Sequence, residues 1–144
     1  MKTKKIIVTT LATMVLMSGT VNCVMGNNYT DKGFNFQITS DKRSTNPREK
    51  QDASSATVKI TSGSGSAVVM VNGLTSKNSQ SMVDLTYGTH KIVKKSNIYT
   101  YLPNMVYETK NANGTRAYPY ANLSFRSAVS YSWDATGVWS PDSI

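Results

Sequence analysis

The chain is poorest in the residues that staple, ligate or catalyse. Its one cysteine, Cys23, lies in the opening segment, so no disulfide framework can hold the remainder together and stability has to come from packing. One histidine, His90, and eight carboxylates spread singly with no Asp-x-Asp spacing give neither zinc nor calcium an evident ligand set; the expectation is no metal and no cofactor. Nucleophilic catalysis needs a base beside a Ser or Thr. His90 is the only imidazole, it stands at a strand start in Gly88-Thr89-His90-Lys91, and no serine lies in a Gly-x-Ser-x-Gly elbow. A carboxylate pair for glycoside cleavage would have to come from Asp84, Glu108, Asp134 and the loop acids, and nothing selects any two. With no catalytic constellation visible, the sequence reads as a protein that is not an enzyme. Past residue 26 no window sustains the i, i+3, i+4, i+7 pattern over three turns, and no second apolar run of about 18 residues follows, which leaves neither a long amphipathic helix nor a later membrane span.

What is present begins with a leader. Lys2, Lys4 and Lys5 precede an apolar run over 6–17, and a small-residue stretch over 18–26 suits a peptidase. This predicts a cleaved signal helix, residues 1–26, and a single secreted β domain, residues 27–144. The alternative is lipid anchoring at Cys23, although Thr20-Val21-Asn22 lacks the Leu and the small residue of a lipoprotein box. The last residues, Trp139-Ser140-Pro141-Asp142-Ser143-Ile144, carry no wall-sorting tail, so release to the extracellular medium is the expected fate.

The domain reads as short strands. Phe34, Phe36 and Ile38 alternate with Asn35, Gln37 and Thr39; Ala56, Val58 and Ile60 alternate with Thr57, Lys59 and Thr61. Ala67 to Val71 is apolar on both faces and fits a central strand, and with the break at Gly63-Ser64-Gly65 it suggests a hairpin with the strand before it. Asn72-Gly73 reads as a turn, as does Asn113-Gly114. Further strands are expected over 82–86, 90–94, 97–102 and 105–109, around Leu123 and Phe125, and along Val129, Tyr131 and Trp133. Turn signals about every 8 to 12 residues point to an all-β antiparallel sandwich, with a small β-barrel as the alternative.

The formal charge is +8, and +5 once the three leader lysines are set aside. Such a balance favours anionic surfaces by long-range attraction. Residues 41–51 concentrate Lys42, Arg43, Arg48 and Lys50 around Pro47 and read as an exposed basic loop. Tyr99, Tyr101, Tyr118 and Tyr120 could add a stacking face, but no RNA-binding signature accompanies them; a sugar-stacking face suits an exported protein better, and no nucleic-acid partner is expected. A cysteine-free surface protein can also be braced by an amide between a buried Lys and an Asn beside an acid, with loss of ammonia. Lys59 and Lys91 are the lysines in question, and neither faces inward by alternation.

Two segments stand out together. Arg48-Glu49-Lys50-Gln51-Asp52-Ala53-Ser54-Ser55 leads into the Val58 strand, and Gly137-Val138-Trp139-Ser140-Pro141-Asp142-Ser143 ends the chain. With the leader they resemble a family of small exported proteins of Gram-positive bacteria, a domain of unknown function, which share an Arg-x-Lys-x-Asp-x-Ser-Ser opening and a Gly-x-Trp-Ser-Pro-Asp-Ser end. The resemblance implies a secreted all-β domain and supplies no activity. Trp139 is a candidate plug for one end of the sandwich, with Pro141 stopping the last strand. Alternatively Arg43, Arg48, Lys50 and Trp139 share one edge as a binding patch. The resulting expectation is a monomer that binds a cell-wall polyanion or glycan at the bacterial envelope. A secreted antimicrobial or bacteriocin-like factor is the alternative, and a small hydrolase a third.

Overall fold

The structure, a computed structural model, describes residues 28–144; the leader, Cys23 and the expected cleavage site lie outside the described residues. Among the described residues ten strands form two antiparallel sheets that face each other. β1 (Lys32–Ile38), β10 (Trp133–Ser140), β4 (Ala56–Ser62) and β8 (Thr100–Leu102) lie in that order in one sheet. The other is built on β9 (Tyr120–Ser127) and β5 (Ser66–Leu74). On its outer sides β2 (Arg43–Ser44) and β3 (Arg48–Glu49) pair with β9, and β6 (Val83–Asp84) and β7 (Lys91–Lys94) pair with β5. Neither sheet closes on itself, so the architecture is the sandwich and not the barrel.

Alternation explains the core. Phe34 and Ile38 of β1, Ala56, Val58 and Ile60 of β4, Ala67, Val69 and Val71 of β5, Leu123 and Phe125 of β9, and Trp133, Ala135 and Trp139 of β10 all point between the sheets and are buried. Phe34, Phe36 and Phe125 form an aromatic triad with ring centroids 5.0 to 5.4 Å apart, joining β1 to the opposite sheet.

Several local expectations give way to packing. β4 and β5 are not a hairpin: they belong to different sheets, and the 63–65 link arches from one to the other over the Trp133 ring. A Cβ on Gly63 or Gly65 would come within 2.4 to 2.5 Å of that ring, so only glycine lets the chain pass so closely. Asn72-Gly73 is not a turn but lies inside β5, paired with Asn122 and Ala121. Gly73 is there because a Cβ would meet Leu85 and Tyr118 at 2.7 Å, and the Asn72 amide bonds Asn122 at 2.9 Å and Ser124 at 2.7 Å. Residues 105–109 make a single turn closed by Thr109 N to Met105 O at 3.0 Å, not a strand. The last strand starts at Trp133, after bends over 128–131, and runs to Ser140, just before Pro141.

Candidate functional site

The 41–51 segment is less open than its charge suggests. β2 and β3 hydrogen-bond to β9, with Arg43 opposite Phe125 and Arg48 opposite Ala121. Arg43 is exposed and Arg48 half-buried, whereas Lys50 is fully buried and Trp139 is 1% exposed. These four residues therefore do not share one exposed patch: Arg48 and Trp139 border the groove between β1 and β2–β3, Arg43 is exposed and Lys50 is enclosed. Lys50 turns inward because buried carboxylate and carbonyl oxygens await its ammonium, and Trp139 turns inward because β10 aims its odd positions at the core. Arg48 bridges the two: its guanidinium lies 5.6 Å from the Trp139 ring centroid and donates to Trp139 O at 3.2 Å and to Asn28 Oδ1 at 2.7 Å. Burial lowers the Arg48 pKa, against the opposing pull of Asp142 and Asp31.

Behind this layer the two segments singled out in the sequence converge into one polar joint. Lys50 Nζ donates to Asp142 Oδ1 at 2.6 Å and to Ser54 O at 2.5 Å, and Asp52 Oδ1 stands 3.6 Å away. The second Asp142 oxygen accepts the backbone N–H groups of Asn28 and Gln51, each at 3.0 Å. Asp52 accepts the Ser54 N–H at 2.8 Å and its hydroxyl as well. Burial pushes the Asp52 pKa up, but these Ser54 bonds, Lys50 and Asp142 outweigh it and hold the carboxyl below its ordinary range. Ser54 Oγ in turn accepts Ser143 N at 2.9 Å, and Ser140 Oγ donates to Asp142 O at 2.7 Å. Because Lys50 follows β3 and Asp142 follows β10, the joint ties the two sheets together.

Above the joint, between the β1 edge and the β2–β3 edge, runs an open groove of about 1040 Å³. Phe34, Phe36, Tyr120 and Trp139 contribute apolar wall. Asn28, Asn35, Asn46 and Asn78 bring amides, and Lys32, Lys77 and Arg48 bring three cations against one acid, Glu49. Lys32 and Lys77 are exposed on its rim. Neither was singled out in the sequence, because they sit in a strand and a loop 45 positions apart that only the fold brings to one groove.

The remaining sequence candidates disperse. Tyr99 and Tyr101 border a smaller recess of about 270 Å³ with Tyr29 and Asp31, while Tyr120 lines the large groove and Tyr118 packs on the core. The four tyrosines therefore form no common stacking face. The Tyr99 hydroxyl donates to the Asp31 carboxylate, which raises the phenol pKa. Lys59 lies with Nζ 4.4 Å from the Tyr99 ring centroid, and Lys91 is exposed. His90 Nε2 is 2.7 Å from Asp84 Oδ2, and Asp84 Oδ1 accepts the Thr86 hydroxyl at 2.8 Å and N–H at 3.1 Å. Here the carboxylate, not the imidazole, stands between its partners, an order that clasps a loop and does not activate the hydroxyl. Burial pushes the Asp84 pKa up, but the Thr86 bonds and His90 more than offset it, leaving the carboxyl below its ordinary range. Among the described residues no three His, Cys, Asp or Glu side chains cluster as a metal site, and no helix is long and apolar enough to cross a membrane.

Neither a curated protein nor a solved structure matches the sequence. A family model does, over residues 19–143, and it takes in both segments of the polar joint and the whole sandwich: the chain belongs to the family described as protein of unknown function DUF2712.

Proposed function

We propose that the protein is an exported, monomeric, non-catalytic binding domain, and that the groove between β1 and β2–β3 takes an anionic polymer of the bacterial envelope. The observation that carries this reading is the groove itself: about 1040 Å³, with Lys32, Lys77 and Arg48 set against Glu49 alone. Exposed lysines hold phosphate or carboxylate groups as point charges, while amides and aromatic wall suit the polyol or sugar units between them. The net charge of +5 outside the leader steers such polymers toward the surface. The leader-like opening supports export, and the acid-centred order of Thr86, Asp84 and His90 supports a role without catalysis.

The test is a titration with a soluble polyglycerol phosphate, followed by tryptophan fluorescence, since Trp139 lines the groove. Binding should weaken steeply as salt rises and its screening length shrinks from about 10 Å at 0.1 M to about 3 Å at 1 M. Replacing Lys32 and Lys77 together by Gln should remove most of it. Binding that ignores salt, or that survives the double substitution, would defeat the proposal.

A further inference from the structure

We propose that Lys50 and Asp142 close an intramolecular isopeptide bond, an amide between Nζ and Cγ, with Asp52 as the proton-transfer group. Four observations meet at this point. Nucleophile and electrophile are in contact, Nζ to Oδ1 at 2.6 Å, and both side chains are fully buried. Taking a charged pair out of water is costly, and a proton passing from the ammonium to the carboxylate leaves a neutral amine and a carboxylic acid, the two reactants that amide formation needs. The Asn28 and Gln51 backbone N–H groups both point at Oδ2, where negative charge develops when Nζ adds to Cγ. Asp52, 3.6 Å from Nζ and 37% exposed, stands at the mouth of the joint.

The step balances without a co-reactant. The neutral Nζ attacks Cγ and the C–N bond forms. Asp52 takes one proton from the nitrogen and returns it to the Oδ1 hydroxyl, the C–O bond breaks, and one water leaves past Asp52. The amide carbonyl oxygen keeps its two backbone donors and the remaining N–H faces Ser54 O, 2.5 Å from Nζ, so no buried polar atom of the product is stranded. Fixed contact of this kind replaces a bimolecular encounter, with effective molarities of about 10⁵ to 10⁸ M for well-oriented groups. Lys50 is neither of the two lysines weighed from the sequence, which alternation already turned outward. Lys59 lies against a tyrosine ring and Lys91 is exposed.

The bond would join positions 92 residues apart, across both sheets, in a domain whose described residues contain no cysteine. It would do for this fold what a disulfide does elsewhere, and no reductant would open it.

Denaturing intact-mass and peptide-mapping spectrometry of the full chain tests this. We expect a protein lighter than its sequence by one water, no tryptic cleavage after Lys50, and a branched peptide joining Lys50 to Asp142. The Asp52→Asn variant should fold, by circular dichroism, yet keep its full sequence mass. Folded wild-type protein at full mass after prolonged incubation would overturn the proposal, as would a water loss that maps to another residue. Loss of water undiminished in Asp52→Asn would overturn the assignment of Asp52.

Discussion

Replacing Trp139 by Ala is the perturbation whose cost follows most directly from the packing. The ring is 1% exposed, stands on β10 between its partners Lys32 of β1 and Val58 of β4, and carries the Arg48 guanidinium 5.6 Å from its centroid. Truncating a buried Trp to Ala costs about 3 to 5 kcal/mol, the upper part of the range applying where neighbours cannot collapse into the space. Two paired strands fix the backbone on either side of Trp139 and Arg48 is tethered to Trp139 O, so collapse is restricted and we expect about 4 kcal/mol. With a urea m-value of about 1.5 kcal/mol/M for a domain of this size, the midpoint should fall by between about 2 and 3 M. The melting temperature should fall by roughly 15 °C. Trp133, buried on the same strand, remains as a fluorescence reporter in the variant, and far-UV circular dichroism follows unfolding by one probe common to both proteins. A loss below about 1 kcal/mol would refute the placement of Trp139 as a core plug, since so small a value belongs to surface positions.

Other consequences are open to direct measurement. The Asp84 pKa is depressed in the folded state, so its contribution is fully present above the unfolded value of about 3.9 and is lost as pH falls through the lower folded value. Stability profiles of wild type and Asp84→Asn should therefore differ at neutral pH and converge in acid; parallel curves across that window would contradict the Thr86–Asp84–His90 clasp. Gly73→Ala should cost about 2 to 3 kcal/mol by urea unfolding, the upper part of the overpacking range, because the new methyl meets Leu85 and Tyr118 at 2.7 Å. By contrast Gly88→Ala meets nothing within 4 Å and pays only for its φ of +78°, about 1 kcal/mol. Equal costs at the two sites would remove the packing argument for Gly73.

The layers of this fold were legible because inward residues of a half-buried strand alternate, as Phe34, Phe36 and Ile38 or Ala56, Val58 and Ile60 do. Alternation says which face a residue takes but not which sheet its strand joins, which is why the Gly63-Ser64-Gly65 break reads as a hairpin and proves to be an arch. Asn72-Gly73 misleads for a related reason: the pair tolerates a turn, yet here each member answers a tertiary demand, an amide network for Asn72 and close packing for Gly73. The burial of Lys50 has no local sequence signature. In a polar run rich in lysine and arginine nothing local marks one cation for burial, and the carboxylate that compensates it is 92 residues away. The signal that did exist was the pairing of the two segments behind the family resemblance. Arg48, Lys50, Asp52 and Ser54 from one meet Trp139, Ser140, Asp142 and Ser143 from the other. Of the groove, only Arg48, Tyr120 and Trp139 were marked by the sequence as candidate contacts; Lys32 and Lys77 carried no signal, since they become neighbours of one cleft only when the chain has folded.

On the proposed function, the groove binds an anionic envelope polymer. The most direct test is co-sedimentation of the protein with purified Gram-positive cell walls, with and without their teichoic acids, over a salt series, for wild type and the Lys32→Gln/Lys77→Gln pair. We expect wild-type retention that disappears when teichoic acids are stripped or salt is raised, and weak retention of the double variant under all conditions. Retention that is indifferent to teichoic acid, salt and both lysines, or no retention at all, would contradict the claim.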